Sequence, residues 1–169
     1  MSIVEENSWQ GHRLTVTWHD SSFIPPRELI TQASGICFNN KGRIILVTTD
    51  GSSWHLPGGH PEGDEDMKTT FIREVKEEAC TIVTNLVYLG AQEITDPENN
   101  TGLSTYYQVR FWARVRLQKF KGKHEMVGRK LVKPSEINLS LNWRPNRILE
   151  AILKAALDCE GKFRRKNRE

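Results

Sequence analysis

Residues 56–82, LPGGHPEGDEDMKTTFIREVKEEACTI, predict a glycine turn followed by a single helix. Proline cannot donate a ladder hydrogen bond and glycine admits unusual backbone angles, so the chain is expected to turn at 57–59. A helix is expected over 65–79, because Asp64 suits its N-cap and apolar residues then recur with helical spacing. At about 100° per residue, an arc of roughly 100° on this helix carries three carboxylates, those of Glu74, Glu77 and Glu78.

The carboxylate face is unfavourable unless something neutralises it. Like charges three or four residues apart destabilise a helix by about 0.2–0.5 kcal/mol per pair, and Arg73 and Lys76 offset only part of the charge. A hard divalent cation suits clustered carboxylate oxygens, and Mg2+ is usually held by one or two carboxylates together with substrate phosphates. The alternative is a solvated charged face, which is the more common explanation for an isolated EVKEE segment.

The spacing of the whole stretch argues against that alternative. At average residue frequencies of about 5–7%, six specified residues at these offsets arise by chance on the order of once in 10^5 chains of this length. The pattern resembles the Nudix box: Gly, five residues, Glu, seven residues, Arg-Glu, an aliphatic residue, any residue, Glu-Glu, any residue, Gly and an aliphatic residue. Residues 59–81 match this MutT-like box at Gly59, Glu65, Arg73, Glu74, Val75, Glu77 and Glu78.

Two positions at the end of the box depart from the family pattern. Cys80 stands where the family has Gly, and Thr81 stands where it has an aliphatic residue. The Gly normally lets the chain leave the helix with positive φ, a conformation that Cys tolerates poorly. The departure therefore concerns the helix exit and leaves the carboxylates intact.

The resemblance implies an α/β fold, the Nudix-type α/β/α sandwich in which a mixed β-sheet lies between helices. It also implies a metal site in the box. The expected ligands are the carboxylates of Glu74, Glu77 and Glu78, with the backbone carbonyl of Gly58. The expected cofactor is Mg2+, with Mn2+ as the alternative.

The resemblance further implies which residues orient the carboxylates and complete the site. Arg73 is expected to orient them, and Glu65 shares this network. In several family members an additional acidic residue comes from the loop that corresponds to 119–130, where Glu125 is the best-placed candidate. The expected catalytic set is Arg73, Glu74, Glu77, Glu78 and Glu125.

The implied reaction is hydrolysis of the diphosphate linkage of a nucleoside diphosphate linked to another moiety. Nucleoside triphosphates, ADP-ribose, nucleotide sugars and dinucleoside polyphosphates are all open as substrates. A carboxylate must accept a proton from the attacking water, and the sequence does not choose between Glu74 and Glu125. The alternative function is a catalytically weak Nudix-fold regulator that binds a nucleotide or nucleic acid. An isomerase acting on an isoprenoid diphosphate would need a paired Cys and Glu, and neither Cys37 nor Cys80 shows such a pattern.

Two strands are expected after the helix, over 85–94 and 105–117, and the second alternates strongly. Its odd-numbered apolar residues share one face, whereas Trp112 lies on the other face among polar residues. Trp54 and Trp112 are expected to bind substrate, together with the turn-rich loop 96–104. For Trp54, packing against the core is the equal alternative.

The chain is expected to divide into an N-terminal extension over 1–32, a Nudix domain over 33–160 and a basic C-terminal tail over 161–169. Within the extension, the alternating segment 13–18 predicts a strand or hairpin arm. At the start of the domain, the turn residues at 39–42 predict an antiparallel hairpin.

The last helix is expected to begin near 142–145, where Pro145 suits a first turn, and to end at Gly161. Residues 162–168 then form the basic part of the tail, and such tails are usually disordered.

The composition suits one globular domain. The chain has 169 residues, of which 37% are apolar, and its net charge of +3 does not by itself argue for nucleic acid. Three cysteines without C-x-x-C spacing indicate neither a disulfide framework nor a zinc site, and the cytoplasm is the expected location. No segment approaches the 18 or so apolar residues of a membrane span. The resemblance implies a small nucleotide as the partner. Neither nucleic acid nor a membrane is expected, and a homodimer is the alternative to a monomer.

Overall fold

The computed structural model describes residues 2–100, 102–141 and 146–168. Its strands are β1 (Ile3–Trp9), β2 (His12–Asp20), β3 (Ile30–Phe38), β4 (Ile44–Thr48), β5 (Gly58–Gly59), β6 (Thr81–Thr95), β7 (Thr105–Leu117) and β8 (Gly128–Val132). Its α-helices are α1 (Met67–Ala79), α2 (Ile137–Ser140) and α3 (Arg147–Lys166), and short 3-10 turns lie at Arg27–Leu29 and Pro134–Glu136. None of the helices in the described residues combines the length and hydrophobicity needed for a membrane span.

The strands form one mixed sheet in the order β1-β2-β6-β7-β3-β4-β8, with β5 paired to β3. Strands β3 and β7 are parallel, and the other neighbouring strands pair antiparallel. Helix α1 covers one face of the sheet and α3 covers the other, because each helix buries one apolar side. The predicted α/β/α sandwich with a mixed sheet is confirmed.

Strand β7 contributes to the core on both of its faces. On the α1 side, Phe111 is fully buried and stacks on Phe71 of α1, with the ring centroids 5.0 Å apart. On the α3 side, Trp112 is 2% exposed and belongs to the core that α3 covers. The alternation of β7 therefore separates two buried layers, and Arg110 and Arg114 of its charged face are buried, whereas Arg116 is exposed.

The N-terminal residues form a hairpin that widens the sheet. Strands β1 and β2 pair antiparallel, and β2 continues the sheet by pairing with β6, where Val16 lies opposite Ile94. The hairpin expected at the start of the domain is also present, since β3 and β4 pair at Phe38 and Ile44. Its turn is held by the side chain of Asn39, which accepts backbone hydrogen bonds at its Oδ1 atom.

Helix α3 continues beyond Gly161, so the prediction that Gly161 ends it is wrong. The helix ends at Lys166, and most of the expected tail is its last turns. The reason is packing: the Phe163 ring lies 5.5 Å from that of Trp112, and Arg164 donates to Glu160 Oε1 at 2.7 Å. The predicted start near 142–145 lies outside the described residues, and Asn146 caps the helix by accepting from the backbone N–H of Leu149.

Candidate active site

Helix α1 begins two residues later than the sequence predicts. The N-cap is Asp66, whose side chain accepts from the backbone N–H of Thr69 at 2.7 Å, and not Asp64. The backbone carbonyl of Asp64 instead accepts from Arg27. Glu65 therefore lies just before the helix, and its carboxylate can fold back along the helix towards Arg73.

The helix exit resolves the departure at Cys80. Cys80 takes the left-handed conformation of the family's glycine, with φ 51° and ψ 55°. Nη1 of Arg129 donates to the carbonyl oxygens of Ala79 at 2.7 Å and Cys80 at 3.1 Å. Hydrogen bonds to the last carbonyls of a helix satisfy acceptors that have no partner within the helix. Arg129 thus offsets the backbone strain at Cys80, and the helix ends as the box requires.

Arg73 holds the carboxylates in a fixed arrangement. Its guanidinium pairs with Glu65 through two bonds, from Nε at 2.7 Å and from Nη2 at 3.0 Å. Nη1 donates to Glu74 Oε1 at 2.9 Å and to Glu77 Oε2 at 3.2 Å. The hydrogen bonds from Arg73, together with those from its other partners, lower the pKa of Glu65 to about 2. Arg73 therefore orients two of the three predicted ligands and shares this network with Glu65.

The two glycines of β5 are required by close contacts. Strand β5 pairs with β3, where Gly58 lies opposite Ser34, and Gly58 has φ 152°. A Cβ atom at Gly59 would overlap the carboxylate of Glu74, and one at Gly58 would overlap Ser34. The absence of side chains lets the helix carboxylates approach the backbone of the turn.

Glu78 connects the helix to this turn. Its Oε2 accepts from the backbone N–H of Gly58 at 2.9 Å. Burial raises the pKa of Glu78 to about 7; the hydrogen bond from Gly58 lowers it, and the charges of Glu74 and Glu77 raise it further. Glu78 is thus a half-buried carboxylate without a cationic partner among the described residues.

The chemistry of these donors fits a hard divalent cation. Glu74, Glu77, Glu78 and the Gly58 carbonyl offer only oxygen atoms, which suit Mg2+ or Mn2+. The pKa of Glu78 is raised mainly by burial and further by the charges of Glu74 and Glu77, all of which a bound cation would oppose. Among the described residues, however, no group of three or more His, Cys, Asp or Glu side chains is close enough together to hold a metal ion. Arg73 pairs with Glu74 and Glu77 in this structure, so binding a cation would require these side chains to move.

Glu125 is not brought into contact with the carboxylates. It lies in the loop between β7 and β8, is exposed and has φ 67°. It forms no hydrogen bond or ion pair within the described part of the chain. The next residue, Met126, is buried and lines the same cleft as Glu78. The backbone at 125–126 therefore passes beside the cleft, while the role of the Glu125 side chain stays a prediction.

The two tryptophans both pack against the core on the α3 side of the sheet. The indole of Trp112 is buried in the core that α3 covers, and its Nε1 donates to Glu160 at 3.3 Å, while its expected role in substrate binding stays a prediction. Trp54 is half-buried against the core on the α3 side, with Lys130 Nζ 4.4 Å from its ring centroid. The structure thus favours the packing alternative for Trp54.

A cleft of about 260 Å³ lies beside Glu78 and contains residues that sequence reasoning missed. Its polar lining includes Gln32 and Ser34 of β3 and His55, which pairs with Val47 before the turn. Gln32 Oε1 accepts from Arg110 at 3.2 Å, so the cleft connects to the buried guanidinium of β7. The position of His55 three residues before Gly58 was the one available signal, whereas Gln32 and Ser34 reach the site only through the pairing of β3 with β5.

The fold and the site together define a class of protein: an α/β/α sandwich with a glutamate-rich helix packed against a glycine turn. Residues 29–152 match the model of the NUDIX domain. The chain therefore belongs to the Nudix hydrolase family, and the expectation of a Nudix pyrophosphohydrolase is confirmed at that level. Nudix hydrolases generally use divalent metals and act on nucleotide-type substrates.

Solved structures show the same fold. The Bacillus subtilis pyrophosphohydrolase BsRppH, in a mutant form, matches with a TM-score of 0.68 and 21% identity over 92% of this chain and 97% of its own. MutT, from a study of the Aliivibrio salmonicida and Vibrio cholerae proteins, matches with a TM-score of 0.54 and 19% identity over 74% of this chain and 97% of its own. A C. elegans Ap4A hydrolase matches with a TM-score of 0.53 and 15% identity over 77% of this chain and 98% of its own.

Proposed function

We propose that this chain is a Mg2+-dependent hydrolase that cleaves the diphosphate linkage of a nucleoside diphosphate linked to another moiety, with Mn2+ as the alternative metal. The observation that carries the proposal is the approach of the Glu74 and Glu78 carboxylates to the backbone of the Gly58-Gly59 turn. Two carboxylates beside a glycine turn, with the third, Glu77, joined to Glu74 through Arg73, supply oxygen ligands for a cation against a phosphate once the Arg73 pairs give way.

The residues of the chain would act mainly by positioning and electrostatics. Mg2+, when bound by Glu74, Glu77, Glu78 and the Gly58 carbonyl, would neutralise phosphate charge and lower the pKa of a water molecule. The water oxygen forms a bond to phosphorus, the bridging P–O bond of the anhydride breaks, and the released proton passes to a carboxylate. Glu74 and Glu125 are the candidate acceptors, and Arg73 keeps Glu74 oriented.

The cellular location, the partner and the assembly are also part of the proposal. The three cysteines, Cys37, Cys80 and Cys159, are free thiols, which persist in a reducing compartment, so we place the protein in the cytoplasm. The proposed partner is a small nucleotide rather than nucleic acid. A homodimer is the alternative to a monomer.

The test is product release from a panel of nucleoside triphosphates, ADP-ribose, nucleotide sugars and dinucleoside polyphosphates, with Mg2+ or with chelator. We expect turnover of at least one member with Mg2+ and loss of that turnover with chelator. If no member is cleaved while a nucleotide still raises the melting temperature, the hydrolase is excluded and the nucleotide-binding regulator takes its place.

A further inference from the structure

A second cavity lies on the exposed side of α1, next to the carboxylate network. It has a volume of about 760 Å³ and lies between α1 and the loop that joins β7 to β8. The side of α1 that lines it, together with the C-cap residue, runs from Thr69 to Cys80 and is about 16 Å long at about 1.5 Å per residue. Small-molecule sites are typically about 300–1,000 Å³, so this cavity can hold a ligand of nucleotide size.

The lining of this cavity is strongly cationic. Lys76 contributes from α1, and the loop contributes Lys119, Lys121, Lys123 and His124. The four lysines are exposed, and none of them forms an ion pair with a described residue. The carboxylate in the lining, Glu77, is already paired with Arg73 at 3.2 Å. Four unpaired positive charges around one cavity repel each other, so a bound polyanion would be stabilised there.

The lysine loop is tied to the end of α1. The backbone N–H of Gln118 donates to Cys80 O at 2.9 Å, and Nη1 of Arg129 donates to Gln118 O at 3.0 Å. The same Nη1 atom also bonds the carbonyl of Ala79, and the Arg129 guanidinium lies over the ring of Phe120. The loop therefore leaves the helix end in a fixed direction, which brings its lysines over the exposed side of α1.

The cavity is continuous with the catalytic network, because Arg73 and Glu77 belong to both. An anion bound by the lysines would therefore lie beside a diphosphate bound at the carboxylates. We propose that this cavity binds phosphate groups beyond the scissile linkage, so that the substrate carries an oligophosphate chain of three or more phosphates. This selects nucleoside triphosphates and dinucleoside polyphosphates over ADP-ribose and nucleotide sugars, and it rests on the hydrolase function proposed above.

The first test is binding of inorganic tripolyphosphate, measured by titration calorimetry with chelator present so that no metal contributes. Lys119→Ala/Lys121→Ala is compared with Lys162→Ala/Lys166→Ala, which removes the same charge from α3 on the opposite face of the sheet. We expect the loop variant to raise Kd about ten-fold or more and the α3 variant less than about two-fold. Equal weakening in both variants, or none in the loop variant, would overturn the proposal. Unchanged melting temperatures check that both variants are folded.

The second test compares KM for a nucleoside triphosphate, a dinucleoside tetraphosphate and ADP-ribose. We expect the loop variant to raise KM about ten-fold for the polyphosphate substrates that are cleaved and to leave KM for ADP-ribose unchanged. An equal change for all substrates would contradict the proposal. If the wild-type protein cleaves nothing, the hydrolase function fails, and the calorimetry still decides whether the cavity binds an oligophosphate.

Discussion

Two arginine–glutamate networks in the described part of the chain lie on opposite faces of the same sheet, and they differ in charge balance. Beside the glycine turn, one arginine, Arg73, lies within 4 Å of four carboxylates, those of Glu62, Glu65, Glu74 and Glu77. Under α3, two arginines, Arg114 and Arg164, share the single carboxylate of Glu160.

The two networks, which differ in the ratio of arginines to glutamates, also differ in how far they are enclosed by neighbouring residues. Glu160 is 6% exposed, and its carboxylate also accepts from Trp112 Nε1, while Arg114 donates to the carbonyl of Asn39 at 3.0 Å. That network is packed and joins α3 to β7 and to the β3–β4 turn. The Arg73 network borders the cavity of about 760 Å³ through Arg73 and Glu77, and its four carboxylates outnumber its one arginine. An ion network with excess charge at a cleft is suited to a ligand, whereas one that is enclosed by packing stabilises the fold.

The largest expected effect is on activity, from Glu78→Gln. The variant replaces one hard anionic ligand by a neutral amide of the same shape, which can still accept from Gly58. We expect kcat to fall by about 10^2–10^3-fold, or roughly 3–4 kcal/mol in the barrier, with the fold intact. The matched control is Glu62→Gln, whose side chain is 74% exposed and lies 3.7 Å from Arg73. Wild-type turnover in Glu78→Gln would exclude this residue from the metal site.

The next effect is on stability, from Glu160→Ala. Removing the shared carboxylate leaves Arg114 buried without its anionic partner, which should lower the free energy of unfolding by about 3 kcal/mol. Turnover per folded molecule should not change, because Glu160 lies across the sheet from the cleft. Denaturant unfolding measures the loss, and the exposed Glu150→Ala on the same helix should cost less than about 1 kcal/mol. If Glu160→Ala reduces kcat as Glu78→Gln does, the two networks are not separated as we describe.

The pH dependence of the metal-free protein tests the burial of the Glu78 carboxylate beside Glu74 and Glu77. The folded protein holds the Glu78 proton up to about pH 7, whereas the unfolded chain releases it near the ordinary pKa of 4.5. The folded state therefore binds more protons in this window, so stability should fall as pH rises from about 4.5 to 7, by on the order of 2 kcal/mol. Melting temperatures with chelator should converge for wild type and Glu78→Gln at pH 5, with the variant more stable at pH 8. If the melting temperatures of wild type and Glu78→Gln change with pH in parallel, Glu78 is not the group that causes the loss of stability.

The carboxylate helix was predictable because its signals are local. The offsets from Gly59 to Glu78 determine which side chains share a face once a helix forms. The predicted N-cap was wrong because Asp64 and Asp66 both suit a cap in the sequence, and the structure uses Asp66.

The α3 side was less predictable because its contacts are between distant residues. Alternation in β7 separates two faces without indicating which face a helix covers. The sequence therefore suggested that Trp112 lies on the surface, on a charged face. The residues after Gly161 likewise resemble a basic tail in the sequence, since the pairing of Arg164 with Glu160 and the contact of Phe163 with Trp112 depend on the tertiary fold.

The smallest expected effect is a gain in stability from Gly161→Ala. In this structure Gly161 lies inside α3 without positive φ, and a Cβ atom there would meet only Arg165 Nη1 at 3.5 Å, an ordinary contact. Since Gly inside a helix is less favourable than Ala by about 0.5–1 kcal/mol, the variant should raise the free energy of unfolding by that amount. If Gly161 ended the helix in a left-handed conformation, Ala would destabilise the protein instead. The sign of the change in denaturant unfolding therefore decides whether the α3 network is built on a continuous helix.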